Sequence, residues 1–167
     1  YYQEMNANPF RGVYELSEIA TESYENARKA VAQFIGAKDA SQIVFTRNAT
    51  ESLNLIAYSY GMNFIKEGDE IVVSVMEHHS NFLPWKQVAE KCGAVLKQLT
   101  PDENGEITDK SLEVITDKTR LVAVTQVSNV LGRVNDIKHI AEVAHAHGAV
   151  IVADGAQSVP HMPVNVT

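Results

Sequence analysis

Four polar clusters in this 167-residue chain carry side chains that could do chemistry, and each follows a short apolar run. In Thr46-Arg47-Asn48-Ala49-Thr50, Thr50 opens a helical pattern. Amides and a hydroxyl at a helix start suit an anion, although a threonine there also serves as an ordinary cap. No Gly-Lys-Thr Walker pattern is present, which argues against a nucleoside triphosphate. In Glu77-His78-His79-Ser80-Asn81 the two histidines are adjacent and point different ways. They lack His-x-x-x-His spacing and a cysteine partner, so no metal is expected. A flat imidazole at His78 can instead cover a planar ring, while His79 suits capping of the next helix. Ser128-Asn129 adds a hydroxyl and an amide. In Asp154-Gly155-Ala156-Gln157-Ser158 a carboxylate ends an apolar run, and small residues behind it let a ligand approach. Asp154 alone could be a turn cap. Taken together, the clusters fit a planar, anionic ligand with a ring nitrogen: phosphate at Thr50, ring face under His78, a protonated nitrogen at Asp154, a ring oxygen at Gln157. An Asp facing a pyridinium is how proteins keep pyridoxal phosphate electron-withdrawing.

The elements between these clusters must bring them together. Residues 1–16 lack periodicity and read as a loop. Ser17 is placed to cap a helix from about Glu18 to Gly36. Ile43-Val44-Phe45-Thr46 reads as a short strand. A helix from Thr50 shows Leu53, Ile56, Ala57 and Tyr60 on one face and ends at Gly61. Strands are expected at 70–75, 94–99, 121–127 and 149–154, the last as a central strand. Helices are expected up to Cys92, over 111–115 and from Asp136 to His147. Alternating strands and helices predict an α/β, doubly wound, mostly parallel sheet in one domain. In such a sheet, loops following the strands share the carboxyl edge and line one crevice.

Bulk properties narrow the function. Hydrophobic residues make up 45% and charged residues 21%, an ordinary globular mix. The net charge of −7 argues against a nucleic-acid partner. Cys92 is the single cysteine, which rules out an intrachain disulfide and fits a reducing, cytoplasmic setting. There is no apolar run long enough for a membrane span. The chain opens and closes as though cut from a longer enzyme.

The residues also resemble a known family. Arg11-Gly12 with Leu16-Ser17, Thr46 to Asn54, Met76 to Asn81 with Pro84-Trp85, Val127 to Gly132, and Asp154 to Ser158 are similar to class V, fold-type I pyridoxal-phosphate enzymes. They are most similar to SufS-type (group II) cysteine desulfurases. The Glu77–Asn81 and Val127–Gly132 forms resemble this group rather than its NifS/IscS-like relatives. The resemblance implies a three-layer architecture, with residues 1–167 as part of the large cofactor-binding domain, truncated at both ends. It implies that Ala49 and Thr50 bind the phosphate, His78 stacks on the ring with a catalytic role, and Asn129 lies near the ring oxygen and substrate carboxylate. Asp154 then partners the pyridinium, and Gln157 the ring oxygen. The implied reaction converts L-cysteine to L-alanine and leaves a persulfide for iron–sulfur cluster assembly. A homodimer and a SufE- or SufU-like sulfur acceptor are implied as partners.

Asn48 and Ala49 stand where the family usually has Thr or Gly, and Phe10 and Tyr14 where it commonly has His. The family's Schiff-base lysine lies in a Ser-x-His-Lys segment beyond the Asp-Gly-Ala-Gln motif, and its nucleophilic cysteine and carboxylate-binding arginine lie further on. Here every lysine precedes Asp154, so the chain by itself is expected to be inactive. The alternatives are a related class V lyase, epimerase or selenocysteine lyase, and a non-catalytic interaction module that keeps the fold.

Overall fold

The computed structural model describes residues 6–167, which fall into two compact units, one ending at Phe45 and resuming at Met162, the other spanning Thr46–His161. The expected loop over 1–16 lies partly outside the described residues, at 1–5.

In the first unit, α1 spans Glu15–Ile35 and ends at Gly36, whose φ of 72° permits the left-handed turn. The helix starts earlier than the sequence suggests, with Tyr14 rather than Ser17 at its N-cap. Ser17 is buried within the first turn, and its Oγ donates to the Asn8 carbonyl (2.8 Å) while accepting from Gly12 N (3.1 Å). The hydroxyl therefore fastens the preceding segment instead of capping. Phe10, Tyr24 and Phe45 form two edge-to-face contacts, with centroids 5.4 and 5.5 Å apart. Ile43–Phe45 pairs with no strand among the described residues. The Ile43 carbonyl instead accepts from Arg28 Nε (3.1 Å), so β-branched propensity there finds no ladder to join.

The second unit is built on four parallel strands: β1 (Glu70–Ser74), β2 (Val95–Leu99), β3 (Thr119–Thr125) and β4 (Val150–Asp154), in the order β2-β1-β3-β4. Helices α2 (Ala49–Ile56), α3 (Met62–Phe64), α4 (Leu83–Cys92), α5 (Asp109–Leu112) and α6 (Ile137–Ala146) connect and cover them. Period-2 alternation sends strand side chains to opposite faces. Ile71, Val73, Leu121, Ala123 and Val152 pack with Leu53, Ala57, Trp85 and Val88 on one side. Val72, Val122 and Val124 pack with Leu112, Ile140 and Ala144 on the other. The result is the expected three-layer α/β arrangement.

Three further expectations are corrected. β4, expected at the centre, borders the sheet formed by the described residues, with a partner only at β3. The helix from Ala49 does not stop at Gly61 but passes through a π-helical turn (Ala57–Gly61) into α3. Gly61 is there for space: a Cβ on it would meet Val88 Cγ2 at 2.9 Å. The short helix expected over 111–115 forms over Asp109–Leu112, where Thr108 and Ser111 make a reciprocal cap.

Chain order and sheet order diverge around β1. The chain leaves β1 for β2 on one side, then returns to β3 on the other. Such a reversal opens a crevice between the carboxyl ends of β1 and β3.

Candidate functional site

That crevice holds a cavity of about 340 Å³ lined by Asn48, Ala49, Thr50, His78, Ser80, Thr125, Val127, Asn129, Asp154, Ala156 and Gln157. All six residues singled out from sequence as ligand-binding, Ala49, Thr50, His78, Asn129, Asp154 and Gln157, therefore surround one space. His79 and Ser128 do not line it.

Each side chain is delivered by a local device. Asn48 caps α2, its Oδ1 accepting from Glu51 N (2.9 Å). The cap leaves the first helical amides, those of Ala49 and Thr50, without an acceptor among the described residues, as helix geometry requires. These amides carry the positive end of the helix dipole. His78 follows β1 and caps the single turn His79–Asn81. Its Nδ1 is bonded to both the Ser80 amide (3.2 Å) and the Ser80 hydroxyl, which restrains the ring while the residue stays exposed. Asp154 ends β4 and is only 8% exposed. Its Oδ1 accepts from Ala156 N (2.9 Å), while Oδ2 has no protein donor among the described residues. Asn129 and Gln157 are exposed, with side-chain amides unbonded among the described residues. Asn129 sits in the loop where Val127 bridges Val134.

The electrostatics are one-sided. No lysine or arginine lines the cavity, yet Asp154 faces it and Glu77 lies just behind. Burial pushes the Glu77 carboxyl above its ordinary value. The Asp154 charge pushes the same way, and bonds from Ser74, Asn81 and Thr125 only partly counter them. Open donors at the α2 start and a carboxylate at the β4 end with one oxygen left without a protein donor among the described residues complement a ligand that is anionic at one end and a cationic N–H donor at the other. Among the described residues no group of three or more His, Cys, Asp or Glu side chains is arranged to hold a metal ion.

Glu77 and Thr125 were not singled out from sequence. Thr125 is the last residue of β3, and its hydroxyl donates to the Val127 carbonyl (2.9 Å), shaping the loop that carries Asn129. A carboxylate three residues beyond the end of β1, directly before His78, was the available signal for Glu77. A second hollow, about 500 Å³, is lined by Glu106, Ile107 and residues 132–136. Its charged groups are already engaged: Arg133 pairs with Glu106, and Asp136 accepts from His139 N at 3.1 Å.

The chain is similar to known proteins along its whole length. A protein of Halalkalibacterium halodurans named "Probable cysteine desulfurase" is 49% identical over 167 residues, covering 99% of this chain and 41% of that protein. A Synechocystis protein of the same name is 50% identical, covering 99% and 40%. The chain thus spans about two fifths of the length of these relatives. The apo structure of cysteine desulfurase from Thermococcus onnurineus NA1 superposes with a TM-score of 0.92 at 44% identity, covering 99% of this chain and 41% of that one. Residues 1–167 match the family Aminotransferase class-V. By sequence along its whole length, and by a parallel sheet that gathers the motif residues around one cavity, this chain belongs to the class V aminotransferase family.

Proposed function

We propose that the full-length protein containing this chain is a pyridoxal-phosphate-dependent cysteine desulfurase of the SufS type, with the cofactor held in the β1–β3–β4 cavity. The observation that carries the reading is the cavity's polarity: open donors at Ala49 and Thr50, and a buried carboxylate at Asp154 with no lysine or arginine in the lining. Phosphate suits the first and a protonated ring nitrogen the second.

In this reading the Ala49 and Thr50 amides and the Thr50 hydroxyl bind the phosphate. His78 lies over the ring face, kept in place by Ser80. Gln157 donates its amide to the ring oxygen, and Asn129 donates to the same region and to the substrate carboxylate. Asp154 Oδ2 holds a proton on the ring nitrogen; Ala156 N fixes Oδ1 and so aims Oδ2. Bound there, the ring supplies an electron sink for the pair left on the substrate's α-carbon. Asp154 keeps that sink charged, and its burial makes the charge pairing stronger than it would be in water.

The substrate reading, L-cysteine yielding L-alanine and protein-bound persulfide sulfur, is supported by the names of the relatives. The SufS assignment is supported by the Glu77–Asn81 and Val127–Gly132 motifs; with it go, as part of the same proposal, iron–sulfur assembly, a SufE- or SufU-like acceptor, a homodimer and a cytoplasmic setting. No described helix is long and apolar enough to cross a membrane.

The test is to incubate the full-length protein with pyridoxal phosphate and L-cysteine and to measure alanine and protein-bound persulfide. Equal amounts of both are expected. Cofactor binding without cysteine consumption would favour a related lyase or epimerase, and selenocysteine preferred over cysteine would favour a selenocysteine lyase. Failure to bind pyridoxal phosphate would overturn the cavity reading. Residues 1–167 alone are expected to show no desulfurase activity. After borohydride reduction with the cofactor, only sparse labelling scattered over exposed lysines is expected, since no lysine lines the cavity.

A further inference from the structure

β3 outruns its neighbour at the switch crevice. β1 stops at Ser74 and its ladder to β3 ends at Val73↔Ala123, so the Thr125 amide has no β1 carbonyl to meet. Glu77 takes it. Its Oε1 accepts from Thr125 N (2.7 Å) and from Ser74 Oγ (2.7 Å), and its Oε2 accepts from Asn81 Nδ2 (2.6 Å). Behind Asn81, the Asn81 Oδ1 accepts from Trp85 Nε1 (2.9 Å), and both residues are fully buried. An indole N–H can only donate. That fixes the Asn81 amide with its oxygen toward Trp85 and its nitrogen toward Glu77. Three donors therefore converge on Glu77, which must act purely as an acceptor.

Two geometric links make this more than a core hydrogen bond. Glu77 is followed directly by His78. Thr125, whose amide it holds, is the ladder partner of Asp154, and the next amide, Gln126 N, donates to the Asp154 carbonyl (3.0 Å). The carboxylate is thus one peptide from the ring-covering histidine and one ladder rung from the buried aspartate. We propose that Glu77 is a positioning residue of the cavity, its carboxylate bridging the ends of β1 and β3 so that the His78 loop and Asp154 keep a fixed separation across the crevice. The role of His78 and Asp154 toward a cofactor rests on the reading above; the bridge itself does not. Burial without a cationic partner raises the Glu77 carboxyl, a cost that an apolar residue merely filling the space would not incur.

Glutamine cannot replace it. One end of its amide would turn a donor toward Asn81 Nδ2, and turning Asn81 over would set donor against donor at Trp85. The pair Glu77→Gln with Asn81→Asp restores the pattern. The carboxylate introduced at 81 accepts from both Trp85 and the new amide, whose oxygen still accepts from Ser74 and Thr125.

The experiment uses the full-length protein at pH 8 with Glu77→Gln and the double variant. Amide hydrogen exchange is read on the cofactor-free protein, and affinity and induced circular dichroism on titration with pyridoxal phosphate. In Glu77→Gln, Thr125 should exchange about 10-fold faster while Val72 and Val122 in mid-strand are unchanged. Cofactor affinity should fall about 10-fold, with weaker induced dichroism, as expected for one buried bond network lost. The double variant should return both readouts to within about 3-fold of wild type. Unchanged Thr125 exchange in Glu77→Gln, or a double variant that restores neither or only one readout, overturns the proposal. If wild type binds no pyridoxal phosphate, the cofactor reading fails, and Thr125 exchange in the same samples still judges the bridge. If Glu77→Gln does not fold, the double variant decides: folding with wild-type values supports the bridge, and anything less overturns it.

Discussion

Each end of β1 has a glutamate, and the two are treated in opposite ways. At the amino end Glu70, 8% exposed, is met by Lys97 Nζ at 2.8 Å and by the hydroxyls of Thr116 (2.6 Å) and Thr119 (3.4 Å). Burial pushes its carboxyl up, but Lys97 and the two hydroxyls outweigh burial and hold it below the ordinary value. Beyond the carboxyl end, Glu77 has three neutral donors and no cation, and burial, with the Asp154 charge adding to it, pushes its carboxyl the other way. The amino edge is electrostatically closed and holds β1, β2 and β3 together. The carboxyl edge is left negative. In the proposed reading, the uncompensated edge is the one that meets the protonated ring nitrogen, at Asp154.

The largest test of this contrast is Asp154→Asn in the full-length, cofactor-loaded protein. Turnover should fall about 100-fold or more, because an amide cannot hold a proton on the ring nitrogen by charge. Urea unfolding should barely shift, since an amide oxygen can still accept from Ala156 N. A variant with near-normal turnover and bound cofactor would break the comparison at its functional end.

At the closed edge the expectation is reversed. Lys97→Ala strands a carboxylate inside the sheet and should cost about 1–3 kcal/mol in urea unfolding, with KM and turnover in the full-length enzyme unchanged. A loss of activity without loss of stability would show that the two edges are not separate in role.

Acid titration of stability sharpens the contrast further. The Glu70 carboxyl is depressed on folding, so its contribution is present above its ordinary 4.5 and is lost as pH falls through the lower folded value. Glu77 has the opposite sign: its raised carboxyl favours the fold below 4.5 and loses that contribution as pH rises through the folded value. Lys97→Ala should therefore flatten the acid limb of unfolding free energy against pH, and Glu77→Gln should not.

The smallest effect belongs to a pair at neither edge. His139 Nε2 lies 2.7 Å from Asp109 Oδ1, and that bond raises the imidazole above its ordinary 6.5. Its stabilisation is complete below pH 6.5 and disappears as pH rises through the folded value. A slight pH-dependent shift in melting temperature over that window, absent in His139→Ala, is the expected readout.

Much of this was legible in the chain because apolar runs and their polar ends are local. The runs at Ile71–Val73, Leu121–Val124 and Val150–Val152 marked three of the four strands, and the polar groups directly after β1, β3 and β4 marked the cavity. What failed depended on neighbours. Ile43–Thr46 has strand-forming residues but meets no partner strand among the described residues. The β4 run looks fully enclosed, yet Ala153 is exposed, and among the described residues β4 has a partner only at β3. Ser17 has the chemistry of a cap, and only the fold shows its hydroxyl spent on Asn8 and Gly12. Glu77 escaped notice for the same reason. Its partners Ser74 and Asn81 are close in sequence, but the Thr125 amide that gives the carboxylate its meaning is 48 positions away.

The edge position of β4 has a practical consequence for anyone handling the chain. One side of Val150–Asp154 is hydrogen-bonded to β3; the other presents an apolar stretch with backbone donors and acceptors facing outward among the described residues. The opposite margin, β2, is guarded by Lys97 and Gln98, whereas β4 has no charge before Asp154. Such a margin recruits strands from other molecules. Expressed alone, residues 1–167 should self-associate as concentration rises, and a lysine in place of Ala153 should delay the onset. The stretch that delivers Asp154 to the cavity is thus also the one expected to limit the solubility of the isolated chain.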